Sequence, residues 1–474
     1  MGEYTTLNPA TGEVIQVFPE INDAEVKMLI DQSAVSYASW SKAALDDRTR
    51  VLHKVAQLHR EQAVELAGLI TLEMGKVTAQ ALGEIELVAS IYEYYAKHLE
   101  EFLADEPLQI SGPGYAAVRT QAIGPLLGIM PWNFPFYQVA RFAAPNIALG
   151  NTIILKHSRN CPQSALAIEK IFLEAGLPNH VYQNALISSA QVADIIADPR
   201  IQGVSLTGSE YAGAAVAEVA GRNLKKCVLE LGGSDPFIVT STADLDEAAK
   251  IAAVGRLGNA GQACTSAKRF LVQSDVYEEF VAKLVEEMSD WPVGDPTNSA
   301  HKVGPLSSKS AVKDVQELLD DAIEQGATAL LEGGAIEGAG SYFQPALLSG
   351  VTPKMRAYKE EIFGPVGVVH SFSTIDEAID LANDSPYGLS SSVFTGDPFV
   401  AERFVDELET GMVWINSFGK SAADIPFGGV KLSGYGRELG KFGFNEFANK
   451  KLVRNVHGSS TSFEAGFTTR VGQS

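Results

Sequence analysis

Short β-prone runs alternate with helical ones along most of this chain, and that rhythm limits the fold more than any other feature of the sequence. LLGIM (126–130), TIILK (152–156), VSLTG (204–208) and CVLEL (227–231) read as strands, with helical text at 162–175 and 209–223 between them. Repeated strand–helix alternation predicts an α/β fold with a parallel sheet covered on both faces, where ligands bind beyond the carboxyl ends of the strands. A second series follows: helical at 245–256, strand at 269–273, helical at 276–288, extended at 327–333, and strands at 366–372 and 390–396. The boundary between the two series falls shortly after Leu231. Residues 23–103 are mostly helical, 107–118 interrupt that text, and the polar stretch from 457 reads as a weakly structured tail. No internal repeat is visible.

With 474 residues the chain is long enough for about three structural units. Charge then narrows the partners. Lys plus Arg number 37 against 58 Asp plus Glu, a net −21, which is the wrong sign for a nucleic-acid clamp or a polybasic membrane surface. An anionic substrate would need a local cation to counter that field. Three cysteines, Cys161, Cys227 and Cys264, cannot staple a chain of this size, and the odd count favours a reducing, cytoplasmic setting. No apolar run reaches the roughly 18 residues that span a bilayer. The closest, 142–155, is broken by Pro145, Asn146 and Gly150. The start has no signal-peptide pattern; it fits the short, loose myristoylation pattern at Gly2, which serves equally as a flexible start.

GxxxxGK[ST], GxGxxG, GxSxG and HExxH are all missing, and the eight histidines show no metal-ligand spacing. Three constellations remain. In GNAGQACTSAKRF (258–270), Cys264 follows a flexible Gly/Asn/Ala stretch and precedes Lys268 and Arg269, cations that favour a thiolate; a small buried hydrophobe is the other reading. In VLELGGSDPFIV (228–239), Glu230 interrupts an apolar strand ahead of Gly232 and Gly233, where a carboxylate of raised pKa suits a general base, though a paired structural Glu fits too. In PWNFP (131–135), the Asn133 amide is able to donate to a developing oxyanion or to cap a proline-rich turn.

PWNFP, VLELGG (228–233), GQAC (261–264), EEIFGP (360–365) and PFGGVKLSGYGRE (426–438) together resemble the aldehyde dehydrogenase superfamily in order and approximate spacing. The likeness runs from NPATGEVI near the start to KLVRNV near residue 451. VLELGGSDPFIV, AKRF and LKHS resemble the bacterial succinate-semialdehyde dehydrogenase branch, LKHS standing in place of the commoner LKPS.

The resemblance implies a Rossmann-like cofactor domain (1–106 with 126–231), an α/β catalytic domain (232–443), and an oligomerisation extension and tail (107–125 with 444–474). It implies Cys264 as nucleophile, Asn133 and the Cys264 N–H as oxyanion donors, and Glu230 as the base that activates water. For the cofactor it implies Lys156 and the following Ser158 at the adenosine ribose, Gly208, Ser209 and Gly213 at the pyrophosphate, Glu361 and Phe363 at the nicotinamide ribose, and Trp132 and Leu231 lining the nicotinamide pocket. NAD-preferring members often carry Glu three residues after that lysine. Arg159 stands there in this chain, so NADP is expected to be used at least as well as NAD. Arg141 occupies the place where semialdehyde members carry Arg, implying a substrate with a distal carboxylate, most simply succinate semialdehyde; a structural salt bridge is the competing use of that residue. A second arginine of some members is replaced by Gly258, with Lys268 or Arg269 as possible substitutes. Where some members have a second cysteine, Ser266 stands, so no disulfide switch is expected.

Glutarate semialdehyde or aromatic and general aldehydes are alternative substrates. A CoA-acylating enzyme needs no water-activating carboxylate, so Glu230 argues against it; an inactive binding protein of the same fold is disfavoured by keeping Cys264, Glu230 and Asn133 together. Members of the family form homodimers or homotetramers, a small extension donating a strand across the interface; 107–125 and 444–456 are the candidates.

Overall fold

A computed structural model describes residues 3–457; Gly2 and the tail from 458 onward lie outside the described residues. A hairpin of Tyr4–Asn8 and Glu13–Phe18 leads into four helices: Asp23–Trp40, Leu45–Glu61, Ala63–Met74 and Thr78–Leu103. The first begins where the sequence supplies a capping box, Asn22 taking the N–H groups of Ala24 and Glu25 while Glu25 returns a bond to the Asn22 N–H.

Six strands form the first sheet, in the order Gly434–Tyr435, Lys226–Glu230, Gly203–Thr207, Pro125–Met130, Thr152–His157, Tyr182–Asn184. All neighbours are parallel except Gly434–Tyr435, which returns from late in the chain to run antiparallel beside Lys226–Glu230. The seven-stranded second sheet runs Thr328–Leu331, Ala346–Ser349, Val366–Phe372, Ala267–Gln273, Asp235–Val239, Ser390–Phe394, Met412–Ile415, antiparallel only at its first pair. Glu230 closes a strand of one sheet and Asp235 opens a strand of the other, so the segment 231–234 joins carboxyl ends of the first to amino ends of the second. Glycine is needed there: a Cβ on Gly233 would lie 2.6 Å from the Cys264 carbonyl oxygen. In the third sheet Tyr115–Ala122 pairs with Ala448–Asn455 on one side and Glu106–Pro107 on the other, leaving Ala448–Asn455 as an exposed edge.

Helix Tyr137–Leu149 was hidden from sequence reading. All thirteen of its residues are buried, so no polar face marks it, and it carries Pro145 in its interior. The Asn146 side chain donates to the Phe142 carbonyl at 2.8 Å, and Gly150 ends the helix in the left-handed region at φ 107°. The first strand of the second sheet to be reached along the chain, Asp235–Val239, is not among the strands read from the sequence; both its neighbours are parallel strands, and Pro236 needs no ladder partner at a register shift.

Candidate active site

The cysteine loop is strained before it reaches its sulfur. Asn259, Ala260 and Gly261 all lie at positive φ (53°, 54° and 74°), a conformation that costs a non-glycine residue roughly 1 kcal/mol or more. Bonds from three directions hold it. Asn259 Nδ2 donates to the Asn133 carbonyl at 2.9 Å, the Asn259 N–H donates to Gln80 Oε1 at 2.8 Å, and the buried Arg256 guanidinium donates to Gly261 O at 2.9 Å and to the carbonyls of Ile362 and Gly364. Arg256 therefore ties the cysteine loop to the loop bearing Glu361 and Phe363.

Asn133 meets that loop directly. Its Nδ2 donates to Gln262 O at 3.0 Å, two residues before Cys264. An amide nitrogen carries two hydrogens, so one N–H remains. The backbone around Asn133 is clamped by a fully buried ion pair: Lys76 Nζ contacts Glu84, donates to Asn133 O at 2.9 Å and sits 3.5 Å above the Phe134 ring, while Glu84 Oε1 accepts the N–H groups of Phe136 (3.0 Å) and Tyr137 (3.1 Å) at the start of helix Tyr137–Leu149. An anion at a helix N-terminus is favourably placed.

Cys264 opens onto a cavity of about 470 Å³ walled by Phe134, Tyr137, Phe418 and Phe427, with Arg141 and Lys420 on its lining. Burial pushes the thiol up to about 12, outweighing the opposing pull of Arg141 and then Lys268. The expectation that Lys268 and Arg269 favour a thiolate holds only for the direction of the Lys268 effect: burial outweighs it, and Arg269 is turned elsewhere. Lys268 Nζ donates to the carbonyls of Cys264 (2.9 Å) and Ala263 (3.2 Å) and pairs with Glu361 at 3.1 Å; Arg269 donates to the carbonyls of Ser234, Leu381 and Ala382. Neither lines the cavity in place of the second arginine missing at Gly258; besides Arg141, the cations on its lining are Lys76, already paired with Glu84, and Lys420. Ser266, also on the lining, donates to the Gly255 carbonyl at 2.8 Å.

Arg141 makes the structural ion pair that was the competing expectation, and it also lines the cavity. Its Nε lies 2.7 Å from Glu438 Oε2, an ion pair without the alignment of a hydrogen bond, and its guanidinium sits 4.9 Å from the Tyr137 ring and 4.3 Å from the Phe427 ring. Nη2 contacts Gln138 and reaches Thr207 Oγ1 at 3.4 Å, while Nη1 is buried with no hydrogen-bond partner among the described residues.

Glu230 lies off the cavity lining. Both its carboxyl oxygens are buried without a hydrogen bond among the described residues, and a Cβ on Gly428 would meet Oε1 at 2.7 Å, so the group is packed on the Gly428 backbone. Burial raises its pKa well above the ordinary carboxylate value; Arg141 opposes and Glu438 adds to the rise.

At the other end of the first sheet, Lys156 Nζ is largely buried, and among the described residues its one hydrogen bond is a 3.5 Å contact to the neighbouring His157 carbonyl. Burial, then Arg159, lowers its pKa to about 8. Such an ammonium fits an anionic or hydroxyl-rich ligand better than the protein around it. Ser158 Oγ donates to Asn160 Oδ1 at 2.6 Å, and Arg159 Nη2 pairs with Glu20 Oε1 at 2.6 Å. Ser209 caps helix Glu210–Arg222 through the Ala212 N–H, with Gly208 in the preceding turn, and Gly213 lets the helix settle on Leu231, whose methyls a Cβ would meet at 2.7 Å. Glu361 Oε1 accepts the Gly233 N–H at 3.2 Å, and Trp132 meets Phe363 edge-on at 5.8 Å. A buried ammonium short of partners, a capped helix N-terminus and a glycine cradle fit a dinucleotide.

Five participants escaped sequence reading: Glu20, Lys76, Glu84, Arg256 and Glu438. Each acts on residues distant in the chain. The only available signal was charge inside apolar or glycine-rich text, as in MGKVTAQALGE around Lys76 and Glu84.

The profile of the aldehyde dehydrogenase family matches residues 2–453. A succinate-semialdehyde dehydrogenase (NADP+) of Deinococcus radiodurans is 52% identical over 452 residues, covering 95% of this chain and 94% of that protein. One of Mycobacterium avium is 43% identical, covering 98% and 99%. The solved succinic semialdehyde dehydrogenase of Streptococcus pyogenes, in complex with NADP+, superposes with a TM-score of 0.93 at 41% identity, covering 95% of this chain and 99% of that one.

Proposed function

The chain belongs to the aldehyde dehydrogenase family, and from that premise we propose that it oxidises succinate semialdehyde to succinate with NADP+ through a thioester on Cys264. The observation that carries the mechanism is the approach of Asn133 to the cysteine loop, beside a cavity whose lining holds Cys264 and Arg141 together.

The Cys264 thiol gives its proton to water in the cavity as its sulfur bonds to the aldehyde carbon, and the C=O π electrons move to the carbonyl oxygen, which takes the negative charge. Two donors hold that oxyanion: the free N–H of the Asn133 amide and the Cys264 backbone N–H, each worth roughly a hundredfold or more in rate. NADP+, when bound, supplies the acceptor for the hydride that leaves this carbon. Lys156, Ser158 and Arg159 would hold its adenosine ribose and 2′-phosphate, Gly208, Ser209 and Gly213 its pyrophosphate, and Glu361, Phe363, Trp132 and Leu231 its nicotinamide half. Glu230 then turns from Gly428 toward the cavity, where water lets it ionise; the carboxylate takes a proton from water, and the resulting hydroxide attacks the thioester carbon, expelling the Cys264 thiolate and releasing the carboxylic acid. A protonation-ready carboxyl of raised pKa suits that task.

Arg141 selects the substrate. Its unpartnered Nη1 offers a charge-assisted bond to a distal carboxylate, and the aromatic walls exclude water from it. The test compares NADPH formation from succinate semialdehyde and from butyraldehyde, in wild type and Arg141→Lys. We expect a large preference for the charged substrate in wild type, and its loss in the variant through KM; equal handling of both aldehydes by wild type refutes the substrate assignment.

We further propose that 1–106 with 126–231 bind the cofactor, that 232–443 carry the nucleophile, and that 107–125 with 444–474 form an oligomerisation extension. The exposed edge of Ala448–Asn455, with Leu452 outward, supports pairing with a second copy in a homodimer or homotetramer. Among the described residues no helix is long and apolar enough to cross a membrane, and the three cysteines are free thiols, which suits a cytoplasmic enzyme.

A further inference from the structure

We propose that Glu20 is a specificity-determining residue, holding back the preference for NADP+ over NAD+ by occupying Arg159. The proposal rests on the reading that Arg159 faces the 2′ position of the adenosine ribose.

Glu20 follows the hairpin strand Glu13–Phe18 and is fixed from both sides. Its neighbour Ile21 donates its N–H to Leu186 O at 2.9 Å, and the Thr5 N–H of the other hairpin strand donates to the Arg159 carbonyl at 2.9 Å. The carboxylate is thereby delivered 2.6 Å from Arg159 Nη2, where both side chains keep partial contact with water (19% and 37% exposed). Lys156 lies in strand Thr152–His157, its ammonium 5.7 Å from the Tyr4 ring and, among the described residues, without a carboxylate in ion-pair contact. The adenosine end therefore holds two cations and one anion.

A 2′-phosphate brings up to two negative charges to this cluster. It gains Arg159 and Lys156, but it also approaches the Glu20 carboxylate, a like charge that Arg159 cannot neutralise twice. A 2′-hydroxyl brings no charge, and a carboxylate beside it is an acceptor for its proton. Glu20 thus acts in opposite senses on the two cofactors. It weakens the one with the phosphate and supports the one without, keeping their affinities closer together than Arg159 alone would.

The experiment measures dissociation constants for NADP+ and NAD+ by calorimetry, with kcat/KM alongside, for the full chain as wild type, Glu20→Gln, Glu20→Asp and Arg159→Gln. In Glu20→Gln we expect NADP+ to bind about tenfold tighter and NAD+ no tighter, a gain that shrinks as salt is raised. Glu20→Asp, whose shorter side chain keeps the charge, should fall between Glu20→Gln and wild type. Unchanged or weaker NADP+ binding in Glu20→Gln overturns the proposal. Arg159→Gln separates the two possible failures. If it weakens NADP+ binding while Glu20→Gln strengthens nothing, the inference about Glu20 falls alone; if it leaves NADP+ binding untouched, the placement of Arg159 at the 2′ position falls with it.

Discussion

Arg141 and Arg159 each hold a glutamate at nearly the same distance, 2.7 Å to Glu438 and 2.6 Å to Glu20, but at opposite ends of the first sheet's carboxyl edge and in different media. Arg141 is wholly buried (0% exposed, Glu438 5%) between two aromatic rings; Arg159 is 37% exposed. Equal geometry therefore does not mean equal consequence. In the dry cavity the pair is part of the architecture, since removing one partner strands a buried charge. In the wet groove the same contact is screened and exchangeable, which makes it a means of adjusting ligand choice. On the reading proposed above, the substrate end would recognise charge by a fixed donor and the cofactor end by a competition.

The strongest way to break this comparison is Arg141→Met. Glu438 would be left buried and uncompensated, and we expect a loss of about 3–5 kcal/mol in denaturant unfolding, together with a rise in KM for succinate semialdehyde much larger than for butyraldehyde. A loss under about 1 kcal/mol would place Arg141 in the same class as Arg159. Next in size is Asn133→Ala, for which we expect a fall of roughly 10²–10³ in kcat with NADP+ affinity unaltered by calorimetry.

Glu230→Gln sharpens the dry side through pH. Burial raises the Glu230 pKa above its unfolded value, so the neutral carboxyl's contribution to stability is complete below the unfolded value and is lost as pH rises through the folded one. The amide cannot ionise, so the variant should unfold at a higher temperature than wild type near neutral pH and converge on it in acid. The reverse trend would mean that the carboxylate is stabilised as an ion. Smallest is the effect of Arg159→Gln on stability, expected below about 1 kcal/mol and diminished further by salt.

Which parts of this were legible in the sequence follows from what each part depends on. Runs such as TIILK and VGVVHSF announce strands because their side chains are apolar on both faces, as a covered parallel strand requires. Glu230, Asn133 and Cys264 stand out in the sequence through local motifs, which is why they are the proposed catalytic residues. Their states do not: the cations next to Cys264 in sequence turn to carbonyls, and burial sets its thiol instead. Glu438 and Glu20 were beyond reach because an ion partner is chosen by the fold, and nothing in GYGRELG or FPEIN distinguishes a buried acceptor from a solvated one.

The central claim is that Cys264 carries the acyl group and Glu230 removes it. Its most direct test is the intact mass and peptide map of Glu230→Gln mixed with succinate semialdehyde and NADP+, then quenched. The account predicts one succinyl group trapped as a thioester on Cys264, formed with a burst of NADPH; an unmodified Cys264, or the acyl group on another residue, contradicts it.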